Sequence, residues 1–160
     1  MVPDYAFRPM SAADLPLLCR WLAEPHVRQW WGDPDEQYAL VSGDLDEPAM
    51  DQYIVTAGGA AFCYLQCYEL TAWNTGFDAQ PPGTRGIDLL IGELGMLERG
   101  HGSALIRRFA EDQLRQGAPR VVTDPAPANR RAIRAYEKAG FERDRLVETP
   151  DGPALLMVRD

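Results

Sequence analysis

Between Arg28 and Arg85 the chain has no lysine or arginine, yet the same stretch carries nine acids: Asp33, Asp35, Glu36, Asp44, Asp46, Glu47, Asp51, Glu69 and Asp78. So lopsided a charge argues against nucleic acid and against an anionic membrane surface as partners, because both demand a basic patch. The rest of the chain holds sixteen basic and fifteen acidic residues, so the net charge of −8 comes almost wholly from this one segment. An acidic half beside an arginine-bearing, near-neutral half suits a cationic substrate and an anionic cofactor. A solvated acidic surface that merely keeps a protein in solution produces the same pattern.

Cysteine and histidine are scarce. Cys19, Cys63 and Cys67 are odd in number and lack metal-ligand spacing, and His26 and His101 are the only histidines, so no metal site is expected. No apolar run approaches the ~20 residues that a membrane-spanning helix needs. The start, MVPDYAFRPM, has no basic region followed by an apolar stretch, so no secretory leader is expected. A reduced, cytoplasmic protein follows as the expectation. Nothing repeats and no segment is of low complexity. The 160 residues, 46% hydrophobic and 25% charged, suit a single domain over 1–160 with a substantial core.

Periodicity predicts the elements in order. Tyr5 to Met10 alternates as a strand, and Ser11 with Asp14 opens a helix whose apolar face is Leu15, Leu18 and Leu22. Pro16 sits awkwardly there, because it removes an amide in the second turn. A second helical piece covers Asp35 to Val41. Strands follow at Gln52–Thr56 and Ala61–Leu70, joined by Gly58-Gly59 as a hairpin turn, and another at Arg85–Gly92. Gly100–Gly102 lead into a helix with Leu105, Ile106, Phe109, Ala110 and Leu114 on one face, closed by Gly117. A short strand, Arg120–Thr123, precedes a helix capped by Asn129 and ended by Gly140; two strands, Phe141–Glu148 and Ala154–Val158, finish the chain. The pattern is α/β, with one mixed central sheet flanked by helices.

Two segments carry chemistry. In Leu97-Glu98-Arg99-Gly100-His101-Gly102-Ser103, a strand runs through glycines into an amphipathic helix. Glycine lets the backbone come close to a ligand, and a helix N-terminus offers N–H groups and a positive dipole end, which favours a pyrophosphate. Turns also use glycine for steric reasons alone. The run is neither a P-loop, lacking Lys-Ser/Thr, nor a dinucleotide fingerprint, lacking the third glycine. The second segment is Asn129-Arg-Arg-Ala132-Ile-Arg-Ala-Tyr136-Glu-Lys-Ala-Gly140-Phe141. An Asn opening a helix, a Tyr seven residues on and Gly-Phe entering a strand resemble the closing motif of the GNAT superfamily of N-acetyltransferases. The glycine turn lies at the distance that superfamily uses for its pyrophosphate loop, with Leu97 where Gln or Arg is usual.

The resemblance implies the GNAT fold, with acetyl-CoA as co-substrate and no metal. Leu97 to Ser103 would cradle the pyrophosphate; Asn129 and Ala132 would line the pantetheine arm. Leu89-Leu90-Ile91 would pair with that arm and offer a backbone N–H to the thioester oxygen. Tyr136 would protonate the departing thiolate; the alternative is a core aromatic, since it shares a helix face with Ala132 and Ile133, but its place seven residues after Asn129 and before Gly-Phe favours the functional reading.

Further blocks resemble one branch of that superfamily, the aminoglycoside 6′-N-acetyltransferases. They are Glu24-Pro-His-Val-Arg-Gln-Trp30-Trp31-Gly32, Glu36-Gln37-Tyr38, Arg85-Gly86-Ile87-Asp88, Thr123-Asp124-Pro-Ala-Pro-Ala-Asn129 and Thr149-Pro-Asp151-Gly-Pro-Ala. The likeness spans nearly the whole chain. It implies acetyl transfer to the 6′-amine of an amino sugar by direct attack in a ternary complex, with Asp88 as the candidate base and Asp124 as a contact for a substrate amine. An ordinary carboxylate pKa near ~4 makes a poor base for an amine unless the site raises it. As alternatives, Asp88 reads as a partner for an arginine and Asp124 as a turn-former before proline. Trp31, Tyr38, Gln66, Tyr68 and Asp151 complete the expected acceptor site; of the adjacent Trp30 and Trp31, only one is expected to face inward.

Antibiotic-modifying members of that branch carry Asp-Gly-Trp-Trp and three acids in the loop before Arg-Gly-Ile-Asp. Here Trp73 to Thr84 keeps one acid, Asp78, and lacks the Trp pair. A small-molecule polyamine or amino-sugar acceptor is therefore expected, with a monomer or homodimer as the working form. Other readings are a GNAT enzyme for another amine (a siderophore hydroxylysine, a polyamine or a protein N-terminus) and a coenzyme A-binding module without turnover.

Overall fold

The structure is a computed structural model and describes residues 4–160. The first three residues, where the segment read for a leader begins, lie outside the described residues. One mixed sheet has seven strands: β1 (Tyr5–Pro9), β2 (Met50–Ala57), β3 (Ala60–Glu69), β4 (Arg85–Ile91), β5 (Val121–Thr123), β6 (Glu142–Thr149) and β7 (Gly152–Arg159). Their order in the sheet is β1-β2-β3-β4-β5-β7-β6. The helices are α1 (Leu15–Leu22), α2 (Pro25–Trp31), α3 (Pro34–Gly43), α4 (His101–Arg115) and α5 (Arg130–Lys138). Every strand and helix predicted from the sequence is present, and the mixed α/β sheet is as expected.

Two differences from the expected elements have identifiable reasons. A short 3-10 turn, Ala12–Asp14, precedes α1, so Pro16 falls in the first turn, where its missing N–H would have had no partner within the helix. Asp14 accepts from the Ser11 N–H at 3.0 Å and takes both guanidinium nitrogens of Arg8. The Arg8 hydrogen bond holds the Asp14 carboxyl below the usual carboxylate range. The second difference is α2, a helix the sequence reading did not recognise. Its signals were Pro25 at the first helical position, the apolar pair Val27 and Trp31, and Gly32 at the C-cap with φ 88°.

The chain divides into two compact units. The first runs up to Cys67 and takes in Leu89–Glu98. Its core gathers Leu18, Trp21, Leu22, Val41, Ile54 and Tyr64, with Trp31 and Tyr38 packed against them. The β2–β3 hairpin turns at Gly58-Gly59, both at positive φ (56° and 85°), the geometry a two-residue hairpin favours.

The second unit comprises Tyr68–Asp88 and Arg99–Asp160. Four of the five apolar residues expected on α4 are buried: Leu105, Ile106, Phe109 and Ala110. A second cluster joins Val122, Val147, Ala154 and Leu156 with Phe77 from the Trp73–Thr84 loop. That loop is tied down along its length. A Cβ on Gly76 would strike the Glu148 carbonyl, Asp78 pairs with Arg145 at 2.7 Å, and Gln80 accepts from Arg120 at 3.0 Å. At the edge of the sheet, β6 is charged and bulged between Arg143 and Arg145, which discourages pairing with a further strand.

Candidate active site

β4 and β5 run parallel, pairing Arg85 with Val121 and Gly86 with Val122. One step further in the same register, the Thr123 hydroxyl donates to the Ile87 carbonyl at 3.1 Å. The next step sets Asp88 opposite Asp124. Their carboxyls hydrogen-bond, and Asp124 is pushed up to about 8 by burial first, then by the Asp88 charge and that hydrogen bond, with Asp151 adding to it. Two carboxylates this close resist ionising together, so they hold one proton between them through neutral pH. Asp151 lies in the turn between β6 and β7. There the Thr149 hydroxyl donates to the Gly152 carbonyl at 2.7 Å and accepts from the Asp151 N–H at 3.1 Å. The structure thus brings three of the predicted acceptor residues into one electrostatic group.

Tyr68 lies in the same unit. Its ring crosses Gly86 so closely that any Cβ there would overlap it, the hydroxyl standing 2.8 Å from that position. Trp73 meets it edge-on, with ring centroids 5.7 Å apart and planes at 75°. Trp73 was not among the residues expected at the site. The signal was present in the small residue at 86, which leaves room for an aromatic layer across the strand.

Trp31, Tyr38 and Gln66 belong to the first unit. Trp31 packs edge-on to Tyr64 at 6.2 Å, while Trp30 is 40% exposed, so one tryptophan of the pair faces inward as expected. Gln66 accepts from the Tyr64 hydroxyl at 2.7 Å, and Tyr64 in turn accepts from Gln52. Leu90 is buried in the same core, and the Ile91 carbonyl meets the His26 ring at 2.8 Å.

Around the glycine turn, Glu98 (φ 59°) and Gly100 (φ 80°) both adopt left-handed backbone. That conformation strains a glutamate, and such strain is found where a loop must hold a particular shape. A Cβ on Gly100 would meet no atom within 4 Å, so the backbone there is open on that side. α4 begins at His101, and its first turn aims N–H groups, including those of Gly102 and Ser103, away from the helix. Leu97 is half-buried, while Arg99 is exposed. On α5, Asn129 Oδ1 accepts from the Ala132 N–H at 3.3 Å, the N-cap expected of it. Tyr136 is buried and meets Phe141 edge-on at 5.4 Å, so its ring packs in the core.

This architecture, a seven-stranded mixed sheet with a glycine-led helix after β4 and an Asn-capped helix after β5, is that of an acetyltransferase. The family model described as "Acetyltransferase (GNAT) domain" matches residues 11–149, and the chain belongs to that family. It is 38% identical over 164 residues to the aminoglycoside N(6′)-acetyltransferase type 1 of Klebsiella pneumoniae, a match covering 95% of this chain and 81% of that protein. Among solved structures it resembles AAC(6′)-Ib in complex with coenzyme A and kanamycin, with a TM-score of 0.87, 35% identity, and 98% and 94% of the two chains covered. A second likeness is AAC(6′)-Ib with paromomycin and acetyl-CoA, also at a TM-score of 0.87 and 35% identity, covering 98% and 93%.

Proposed function

We propose that the protein transfers the acetyl group of acetyl-CoA to the 6′-amine of an aminoglycoside, in the cytoplasm, where acetyl-CoA is made and used. The observation that carries this reading is the Asp88–Asp124 pair. An amine needs a proton acceptor whose pKa lies near its own, and a lone carboxylate near ~4 is a poor match. Asp124, held up to about 8 beside Asp88, supplies that match. An arriving ammonium group favours release of the proton that the pair shares, leaving both carboxylates charged to hold the amine, and Asp151 adds a carboxylate for a second amine on a polycationic acceptor.

The other residues take their roles in sequence. The amides of Gly100 to Ser103 at the head of α4 cradle the pyrophosphate, with Arg99 beside them, and Leu97, Glu98 and His101 shape the loop. With Asn129 Oδ1 occupied by the Ala132 N–H, the Asn129 NH2 donates to the pantetheine amides. Acetyl-CoA supplies a thioester carbonyl, which the neutral amine attacks directly. The Asp88–Asp124 pair takes the proton that the amine nitrogen sheds, and the Tyr136 hydroxyl returns one to the departing sulfur. Tyr68, lying over Gly86 on the strand that carries Asp88, takes the acceptor side.

Support for the acceptor comes from the Klebsiella relative's name and from the kanamycin and paromomycin complexes of similar structures. The loop 73–84 argues for weaker capture than in a dedicated resistance enzyme, because its one acid, Asp78, is already paired with Arg145. The test is thiol release with acetyl-CoA and a panel of amines, the product identified by mass. Acetylation of kanamycin at the 6′-amine is expected. A preference for neutral or acidic amines over every aminoglycoside would overturn the acceptor assignment but not the family. Coenzyme A binding with no turnover of any amine would favour a sensing module.

A further inference from the structure

Thr123 is almost fully buried, and its hydroxyl spans from β5 to the main chain of β4. The backbone ladder between these strands pairs Arg85 with Val121 and Gly86 with Val122, and β5 ends at Thr123. Pro125, two residues on, has no N–H and cannot extend the strand's hydrogen bonding. The Thr123 side chain therefore adds one link to the ladder, between the residue just before Asp124 and the residue just before Asp88. On its other side β5 is held by β7, where Thr123 lies opposite Met157 and the Leu155 N–H reaches the Pro125 carbonyl at 2.9 Å.

We propose that Thr123 is a positioning residue for acetyl transfer: its hydroxyl, given to the Ile87 carbonyl, holds β4 and β5 in the register that keeps Asp88 and Asp124 side by side. The proposal rests on the reading of those two aspartates as the group that receives the amine and its proton. The linkage is short and stiff. A β-branched threonine has few rotamers, so a hydroxyl fixed on Ile87 O restricts the backbone on either side of it. Without that bond, the β4 side of the pair loses its last link to β5, and two carboxyls that repel when ionised are held together only by their own hydrogen bond and by the contacts of each strand with its other neighbours. A shift of about 1 Å in such a site costs on the order of 10²-fold in rate.

The charged groups that act on Asp124 are Asp88 from β4 and Asp151 from the β6–β7 turn, and both raise it. The test compares Thr123→Val, which keeps shape and removes the hydroxyl, with Thr123→Ser, which keeps the hydroxyl. Carboxyl 13C NMR of the aspartate-labelled free protein reads the titration of the Asp88–Asp124 pair without requiring any activity. Steady-state kinetics with acetyl-CoA and kanamycin follow in parallel. In Thr123→Val the upper step of the pair should move towards the ordinary carboxylate range, and Thr123→Ser should restore it. Turnover should fall roughly 10- to 100-fold in the valine variant, with the KM for acetyl-CoA changed less than about twofold. Should the valine variant fail to fold, Thr123→Ala removes the hydroxyl without crowding the site. A folded variant lacking the hydroxyl, with the pair titrating as in wild type, overturns the proposal. A moved titration in a protein whose wild type acetylates no amine supports the brace and sinks the reading of function.

Discussion

The Asp124 carboxyl hydrogen-bonds to that of Asp88 beside the parallel β4–β5 pair, so that Asp88 is the principal electrostatic neighbour of Asp124. Burial alone would raise Asp124, and the Asp88 charge raises it further. The pair is therefore a proton store set to the range in which amines titrate.

Removing either charge should slow the chemical step more than removing the tyrosine hydroxyl. Asp88→Asn is expected to lower kcat by roughly 10² or more, the usual cost of losing general acid–base help. Tyr136→Phe should cost less, because a thiolate with an ordinary pKa near ~8.5 leaves tolerably unaided. Single-turnover rates on both variants check the order. Wild-type turnover by Asp88→Asn across pH 6 to 9 would leave Asp88 a structural role only.

Stability should respond to pH at the same place. The folded pKa of Asp124 is raised from 3.8 to about 8, so the folded state holds a proton that the unfolded chain has released. Its contribution is complete below the unfolded value and disappears as pH climbs through about 8. Asp124→Asn keeps a hydrogen-bonding side chain without the charge. It should match wild type near pH 4 and exceed it at pH 9 by on the order of 1–3 kcal/mol. Urea midpoints at three pH values would show it; parallel curves for the two proteins would contradict the pair.

Two glycines after Leu90 should behave oppositely. At Gly92 a Cβ would enter the Trp21 ring, whose Nε1 donates to Glu93 at 2.7 Å. At Gly95 it would meet nothing within 4 Å. Gly92→Ala should therefore cost about 1–3 kcal/mol or more by overpacking, and Gly95→Ala about zero. Thermal unfolding of both variants decides it, and equal melting temperatures would contradict the close approach.

Capture of a polycation by the acidic stretch should be electrostatic. The KM for kanamycin is expected to rise with salt between 0.05 and 0.5 M, since the Debye length shrinks from about 13 to about 4 Å over that range. The KM for a monoamine acceptor should rise less. A salt-independent kanamycin KM would remove long-range charge from the account.

Much of this protein was determined locally by its sequence. The 3.6-residue spacing of Leu105, Ile106, Phe109 and Ala110, the cap at Asn129 and the turn at Gly58-Gly59 are interactions between neighbours along the chain, so periodicity and turn chemistry sufficed to place them. The α2 helix was missed because only seven residues carry it and its apolar pattern is a single pair. What tertiary structure alone decided is which distant residues meet. Thr123 reaches Ile87 across 36 residues, Asp151 arrives from a hairpin turn, and Tyr68 lies over Gly86 because that strand position has no side chain. A single aspartate at 88 reads as a poor base. Strand register brings it beside a second carboxyl, Asp124, which is the group raised to about 8, and register is set by long-range pairing rather than by any local pattern in the sequence.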